Sequence, residues 1–89
     1  MFRMVVEDVF AIRRRGTVAT GIVESGQLRV GDVVRVNDGD SFVVAAIEAF
    51  RKTIDTAGPG QTVGILFKDA DGSQVARGDV LTAATATVY

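Results

Sequence analysis

The sequence predicts an all-β domain built from short antiparallel strands. Val, Ile, Thr and Phe dominate its apolar runs, and clusters of Gly or Asp interrupt these runs roughly every 8 to 12 residues. No segment has the apolar spacing of three to four residues that predicts a confident helix. This pattern is typical of a β-barrel or a β-sandwich. We expect six strands, at residues 4–12, 16–24, 33–36, 41–50, 62–68 and 79–83.

The first strand alternates, so that Met4, Val6, Phe10 and Ile12 are predicted to share one face. The opposite face is also partly apolar, which indicates that both sides are covered. In the second strand, Gly21 lies in the middle of a β-rich run. A glycine there predicts a bulge, a barrel corner or a close approach of a ligand to the backbone.

Residues 25–32 contain two glycine turns around a short apolar hinge, and "NDGD" at 37–40 predicts a hairpin turn before the fourth strand. Residues 51–61 are expected to form a loop. The fifth strand is almost wholly apolar and is therefore predicted to be central. The loop at 69–78 is predicted to contain one helical turn at 74–77. The sixth strand would close the sheet, and the tail "ATATVY" would add an edge strand or stay loose.

The composition argues against catalysis and metal binding. The 89 residues are expected to form one domain, 1–89, and they include no Cys and no His. Thiolate nucleophiles, imidazole bases and most transition-metal sites are thereby excluded. "NDGD" and "DADG" contain carboxylates but lack the twelve-residue acidic loop of a calcium-binding EF-hand. We therefore expect no enzyme activity, no cofactor and no metal.

The net charge is −1, yet residues 1–35 hold six basic and four acidic side chains, with three consecutive arginines at 13–15. An acidic total argues against broad binding to duplexes, which needs many contacts to phosphates. A local contact with one nucleic-acid end stays open. No apolar run approaches the roughly 20 residues that span a bilayer, and the N-terminus lacks a signal-peptide core. We expect a cytoplasmic protein without membrane contact.

Three segments carry a family resemblance: "EDVFAIRRRGTVATGIVESGQLRVGDVVRV", "IEAFRK" and "AGPGQTVGILFKDADGSQVARGDVL". In this order, they resemble the second domain of the translational GTPases, most closely that of elongation factor Tu, over residues 2–82. The resemblance implies a closed, six-stranded antiparallel β-barrel. No Gly-rich phosphate loop with Lys and Ser or Thr occurs in the chain, so GTP hydrolysis by the family mechanism is not expected.

The resemblance also implies a pocket for the terminal adenosine and the amino-acid ester of aminoacyl-tRNA. Ile12, Val18 and Leu66 would be its apolar lining, Glu48 its carboxylate and Arg51 its guanidinium. Aliphatic walls suit a purine, and an arginine reaches ester or phosphate oxygens. Taken singly, the three apolar residues could equally be ordinary barrel core, and the two charged residues could be a solvated pair.

Arg15 matches a position of the same family, whereas Arg13 and Arg14 stand where small residues, Ser and Gly, are usual. The two added arginines could contact phosphates, protect a strand edge or aid solubility. Arg14 could also obstruct an adenosine pocket, which would favour a protein partner or a changed ligand. Thr62 stands where the bacterial factors usually have Asn.

The sequence therefore predicts a translation-factor-like binding module that contacts the tRNA 3′ end or ribosomal RNA and has no GTPase activity. The alternative is a protein-interaction module that docks on a GTPase domain or another partner. The oligomeric state is left open.

Overall fold

The computed structural model describes residues 1–83, so the tail at 84–89 lies outside the described residues. The described chain forms ten strands and no helix. In chain order they are β1 (Arg3–Val5), β2 (Asp8–Ile12), β3 (Gly16–Ser25), β4 (Leu28–Arg29), β5 (Val33–Val36), β6 (Ser41–Ala49), β7 (Lys52–Ile54), β8 (Thr56–Ala57), β9 (Thr62–Phe67) and β10 (Val80–Ala83).

Six of these strands close into a ring, in the order β1-β10-β5-β6-β9-β3 and back to β1. The closure occurs at β1, where Met4 pairs with Leu81 of β10 on one side and with Val23 of β3 on the other. All pairs are antiparallel, so the predicted all-β, six-stranded closed barrel is confirmed. The expected central position of the fifth strand is also confirmed, because β9 lies between β3 and β6.

Shorter strands flank the ring where the sequence predicted loops. β7 pairs with β6 immediately after a tight turn, and β4 and β8 form a separate two-stranded sheet. The predicted loop at 51–61 was therefore wrong in part, as was the predicted hinge at 25–32. Two- and three-residue strands carry too little alternation to be recognised in a sequence.

The first predicted strand is interrupted at Val6 and Glu7, which separate β1 from β2. The N–H of Val6 donates to the carbonyl of Asp79 (2.9 Å), and the N–H of Glu7 donates to the carbonyl of Thr20 (2.7 Å). The alternation does not continue past the interruption, since within β2 only Val9 is partly buried. The even-numbered residues are buried up to Val6 and exposed from Asp8 to Ile12, so the prediction of one shared face was wrong.

Gly21 lies opposite this interruption. A Cβ atom there would come within 2.5 Å of the carbonyl oxygen of Val5. The close approach predicted at this glycine is therefore made by the chain's own backbone.

The core fills the ring with inward-facing aliphatic and aromatic side chains, among them Phe42 and Phe67, whose ring centroids are 6.0 Å apart. Loop 68–79 contributes the buried Ala70 and Val75, and the hydroxyl of Thr17 donates to the carbonyl of Ala70 (2.8 Å). The helical turn predicted at 74–77 is absent. The segment forms non-helical turns, in which the N–H of Gln74 donates to the carbonyl of Asp71.

Candidate ligand-binding cleft

A cleft of about 60 Å³ opens on the outer face of strands β3, β9 and β6. Apolar side chains form its walls, and one cation and one carboxylate line it as well. The lining residues are Ile12, Arg15, Val18, Ala46, Glu48, Gly64 and Leu66.

Strand register explains why these residues meet. Val18 of β3 pairs with Leu66 of β9, which pairs with Ala46 of β6. Two residues further along β9, Gly64 pairs with Thr20 on one side and with Glu48 on the other. A Cβ at Gly64 would lie 3.3 Å from a methyl group of Val18. Because Gly64 has no side chain, it leaves space between its neighbours, and its backbone forms the floor of the cleft.

Five of the predicted site residues lie together in this cleft: Ile12, Arg15, Val18, Glu48 and Leu66. The three apolar ones are not barrel core. Ile12 is 39% exposed, and Val18 and Leu66 are half-buried on the outer surface. Apolar side chains in such positions are available to a ligand.

Arg51 lies outside the cleft, in a side groove of about 300 Å³ that shares Val18, Glu48 and Gly64 with it. No ion pair joins Arg51 to Glu48 within residues 1–83. Glu48 thus lines both cavities. The remaining residues of the side groove are Thr20, Ala49, Phe50, Thr62 and Val63.

Sequence reasoning missed Gly64, Ala46 and Phe50 as residues of the cleft and the groove. The mid-strand glycine was a usable signal, since such a residue often marks a close approach. Phe50 is 89% exposed. Nothing in the sequence indicated this exposure, because Phe50 was predicted to be the last residue of a strand.

Arg13 and Arg14 lie in the turn that joins β2 to β3, at the rim and outside the lining of the cleft. The N–H of Arg15 donates to the carbonyl of Ile12 (2.9 Å), which closes the turn, and Arg14 has φ = 65°. This left-handed conformation suits Gly and costs other residues about 1–2 kcal/mol. The turn therefore holds Arg14 in a strained backbone conformation.

A second left-handed turn borders the side groove. Ala49 pairs with Lys52, and the two residues between them have positive φ, 52° at Phe50 and 64° at Arg51. Two-residue hairpin turns of this kind normally use Asn-Gly or Asp-Gly. Strained backbone of this type clusters at functional sites.

The charged groups form few pairs. The two ion pairs within residues 1–83 are Arg3 with Glu24 and Arg77 with Asp8, and neither belongs to the cleft. The same residues contain no group of three or more acidic, His or Cys side chains arranged to hold a metal ion. They also contain no helix long and apolar enough to cross a membrane.

Away from the cleft, in loop 68–79, the pKa of Asp71 lies below its ordinary value of 3.8. Its carboxylate accepts hydrogen bonds from the hydroxyl of Ser73 and, at 2.8 Å, from the N–H of Ser73. Both bonds favour the charged form.

Comparison with known proteins assigns this fold. Residues 16–82, well over half of the chain, match the family model described as elongation factor Tu domain 2. The chain belongs to the elongation factor Tu domain 2 family. It is a translation-factor-like β-barrel module, as the sequence predicted.

Two solved structures are similar to this domain 2 barrel. One is the translation elongation factor SelB from Methanococcus maripaludis in its apo form, with 33% identity and a TM-score of 0.85. The other is a bacterial selenocysteine-specific elongation factor, EF-Sec, with 24% identity and a TM-score of 0.84; at that identity, it supports the fold alone. The matches cover 93% of this chain but only 19% and 14% of those two chains, respectively.

Proposed function

We propose that this barrel is a binding module for the end of an RNA chain, with the tRNA 3′ end as the favoured ligand, and that it has no catalytic activity of its own. The observation that carries the proposal is the meeting of Ile12, Val18 and Leu66 with Arg15 and Glu48 in one outward-facing cleft. Membership in a translation-factor family supports the same ligand class.

The chemistry of the cleft fits a terminal nucleoside. Exposed aliphatic walls accept the face of a base, and a carboxylate accepts hydrogen bonds from its amino edge. At about 60 Å³ the cleft alone is smaller than a typical ligand pocket of roughly 300–1,000 Å³. The adjoining side groove supplies the rest of the space, and it brings Arg51 near to any ester or phosphate attached to the nucleoside.

An NMR titration of the full chain with adenosine and with the ribotrinucleotide CCA tests the proposal. We expect chemical-shift changes concentrated at Ile12, Val18, Glu48 and Leu66. If these amides do not shift at millimolar ligand, or if the shifts fall elsewhere on the barrel, the proposal is wrong.

Gly64→Ala provides the matching variant. The added methyl group would occupy the floor of the cleft beside Val18 and displace a bound base, and a loss of about 1 kcal/mol of contact predicts roughly fivefold weaker binding. Gly58→Ala is the control, because a Cβ at Gly58 meets its nearest atom at 3.9 Å and Gly58 lies outside the cleft. Equal affinities of the two variants would contradict the assignment of the cleft.

Docking on another protein domain is the second candidate. Val33 and Val43 form an exposed cross-strand pair, 40% and 44% exposed, on β5 and β6. The two similar structures are also much longer chains than this one. If a separately supplied GTPase domain binds the barrel, Val33→Glu should abolish that binding while leaving the adenosine titration unchanged.

A further inference from the structure

Positive charge gathers at one end of the cleft. Three consecutive arginines form the exposed β2–β3 turn, of which Arg15 lines the cleft. The backbone of Lys68 lies beside this turn, since a Cβ at Gly16 would come within 2.9 Å of the Cα of Lys68. We call Arg13, Arg14 and Lys68 the basic rim.

The charges of the basic rim are not neutralised by salt bridges in the described chain. Both ion pairs formed there lie elsewhere, on Arg3 and on Arg77. Asp69 and Asp71, in the neighbouring loop, add two opposing charges, against four positive charges on residues 13–15 and Lys68, which leaves the turn with an excess of positive charge. Exposed arginines with their hydrogen-bond donors available bind phosphate oxygens well.

The acidic side of the cleft lies away from the basic rim. Glu48 pairs with Gly64, which pairs with Thr20, four residues along β3 from Gly16 at the turn. At the usual rise of about 3.3 Å per residue, the part of the cleft at Glu48 and the β2–β3 turn are about 13 Å apart along the strands. A ligand with several phosphates would therefore direct those that precede its terminal nucleoside toward the turn and keep that nucleoside near Glu48.

The backbone of Arg14 gives a second, independent indication. Its positive φ places an arginine where glycine would be free of strain. Strain that is retained at the border of a cleft points to a local role for the side chain.

We propose that the basic rim binds the phosphodiester groups immediately preceding the terminal nucleoside of single-stranded RNA, with that nucleoside in the cleft. Arg13 and Arg14 then determine affinity for chains longer than one nucleotide, whereas the cleft determines affinity for the nucleoside itself. This inference rests on the function proposed above and adds the path of the chain to it.

The test compares adenosine with the ribotrinucleotide CCA on the full chain, at several salt concentrations, by NMR titration or fluorescence anisotropy. The variant is Arg13→Ser combined with Arg14→Gly, and the control is Arg29→Ser combined with Arg35→Ser, on β4 and β5 away from the turn. Loss of two phosphate contacts should reduce the slope of log K against log salt by about 1.4 and weaken CCA binding roughly tenfold at low salt. Adenosine binding should not change.

Three outcomes would overturn the inference. If the unmodified protein binds adenosine and CCA equally, the cleft is used but the basic rim is not. If the variant and the control bind CCA alike, the arginines of the turn have no specific role. A polyglutamate peptide is titrated in the same way. If the Arg13→Ser, Arg14→Gly variant weakens binding of this peptide as much as it weakens binding of CCA, the rim attracts any polyanion. Failure of the proposed function differs from all three, because then neither adenosine nor CCA would bind the cleft.

Discussion

The two hairpin turns at the ends of β6 have the same left-handed backbone but opposite residue chemistry. Before β6, Asn37 and Asp38 have φ of 50° and 63°, and the N–H of Gly39 donates to the carbonyl of Val36 (2.7 Å). After β6, Phe50 and Arg51 have φ of 52° and 64°. Asn and Asp adopt this conformation readily, whereas in Phe and Arg it is strained.

The difference follows the position of the candidate site. The Asn37–Asp38 turn is also held by its side chain, because the Oδ1 atom of Asn37 accepts the N–H of Val80 (2.8 Å). The other turn borders the side groove and exposes Phe50 almost completely. Local sequence and backbone agree at the first turn and conflict at the second, which is the pattern expected where function opposes stability.

The largest expected effect comes from moving the unfavourable residues to the other turn. Asn37→Phe combined with Asp38→Arg should lower the free energy of unfolding by about 2–4 kcal/mol, from two left-handed bulky residues and the lost hydrogen bond. Urea unfolding followed by circular dichroism measures this change. Asp38→Asn is the control and should be nearly neutral. A loss below about 0.5 kcal/mol in the double variant would show that residue type does not govern this turn.

The reverse exchange should have a smaller effect of opposite sign. Phe50→Asn combined with Arg51→Gly should raise the free energy of unfolding by about 1–3 kcal/mol, because the exposed Phe50 loses little packing and both φ values become favourable. The same variant should bind CCA more weakly, since it lacks Arg51. Arg51→Lys, which retains the charge and the backbone strain, separates the two effects. A less stable double variant would mean that Phe50 and Arg51 make contacts that outweigh their strain.

The smallest effect concerns loop 68–79, where side chains make several of the hydrogen bonds that hold the turns. Its Asp71 has a lowered pKa, so its contribution to stability is fully present above about pH 4 and is lost as the pH falls through the folded-state pKa. Ser73→Ala removes the hydroxyl donor and should raise the pKa of Asp71 part of the way back to 3.8, because the backbone donor remains. An NMR titration of the Asp71 carboxyl group measures it, with Ser41→Ala, in a distant strand, as the control. An unchanged pKa would exclude the hydroxyl as the main cause.

Sequence reasoning succeeded at the first of the two β6 turns and failed at the second for the same physical reason. The "NDGD" segment predicted its hairpin because Asn and Asp favour positive φ. Phe50 resembles a strand residue, so the prediction extended the strand to residue 50, began a loop at Arg51 and missed β7. The residues of this second turn do not favour positive φ, so the local sequence does not indicate a turn there.

The candidate cleft could be predicted in part. Alternation within the predicted strand 16–24 places Val18 and Thr20 opposite the inward Thr17, Ala19 and Val23, but both faces are partly apolar, so periodicity alone does not say which one faces outward. The family resemblance supplied Ile12, Glu48 and Leu66, which the structure brings together. Ala46 and Gly64 were missed because their contribution is the absence of a large side chain, and the position of Arg51 depended on the missed turn.

The interruption at Val6 and Glu7 has a consequence for how freely the first strand can change. Up to and including Val6, the even positions Met4 and Val6 are core residues, and a polar replacement at either would disrupt the barrel. After it, the even positions Phe10 and Ile12 lie at the surface, and polar replacements there would leave the core intact. A saturation-mutagenesis profile of residues 3–12, scored by abundance, should therefore be sensitive at the even positions up to Val6 and tolerant at the even positions after it, within a single apparent strand. Substitutions at Phe10 and Ile12 can alter surface recognition with little loss of folding, an option that an uninterrupted strand would not provide.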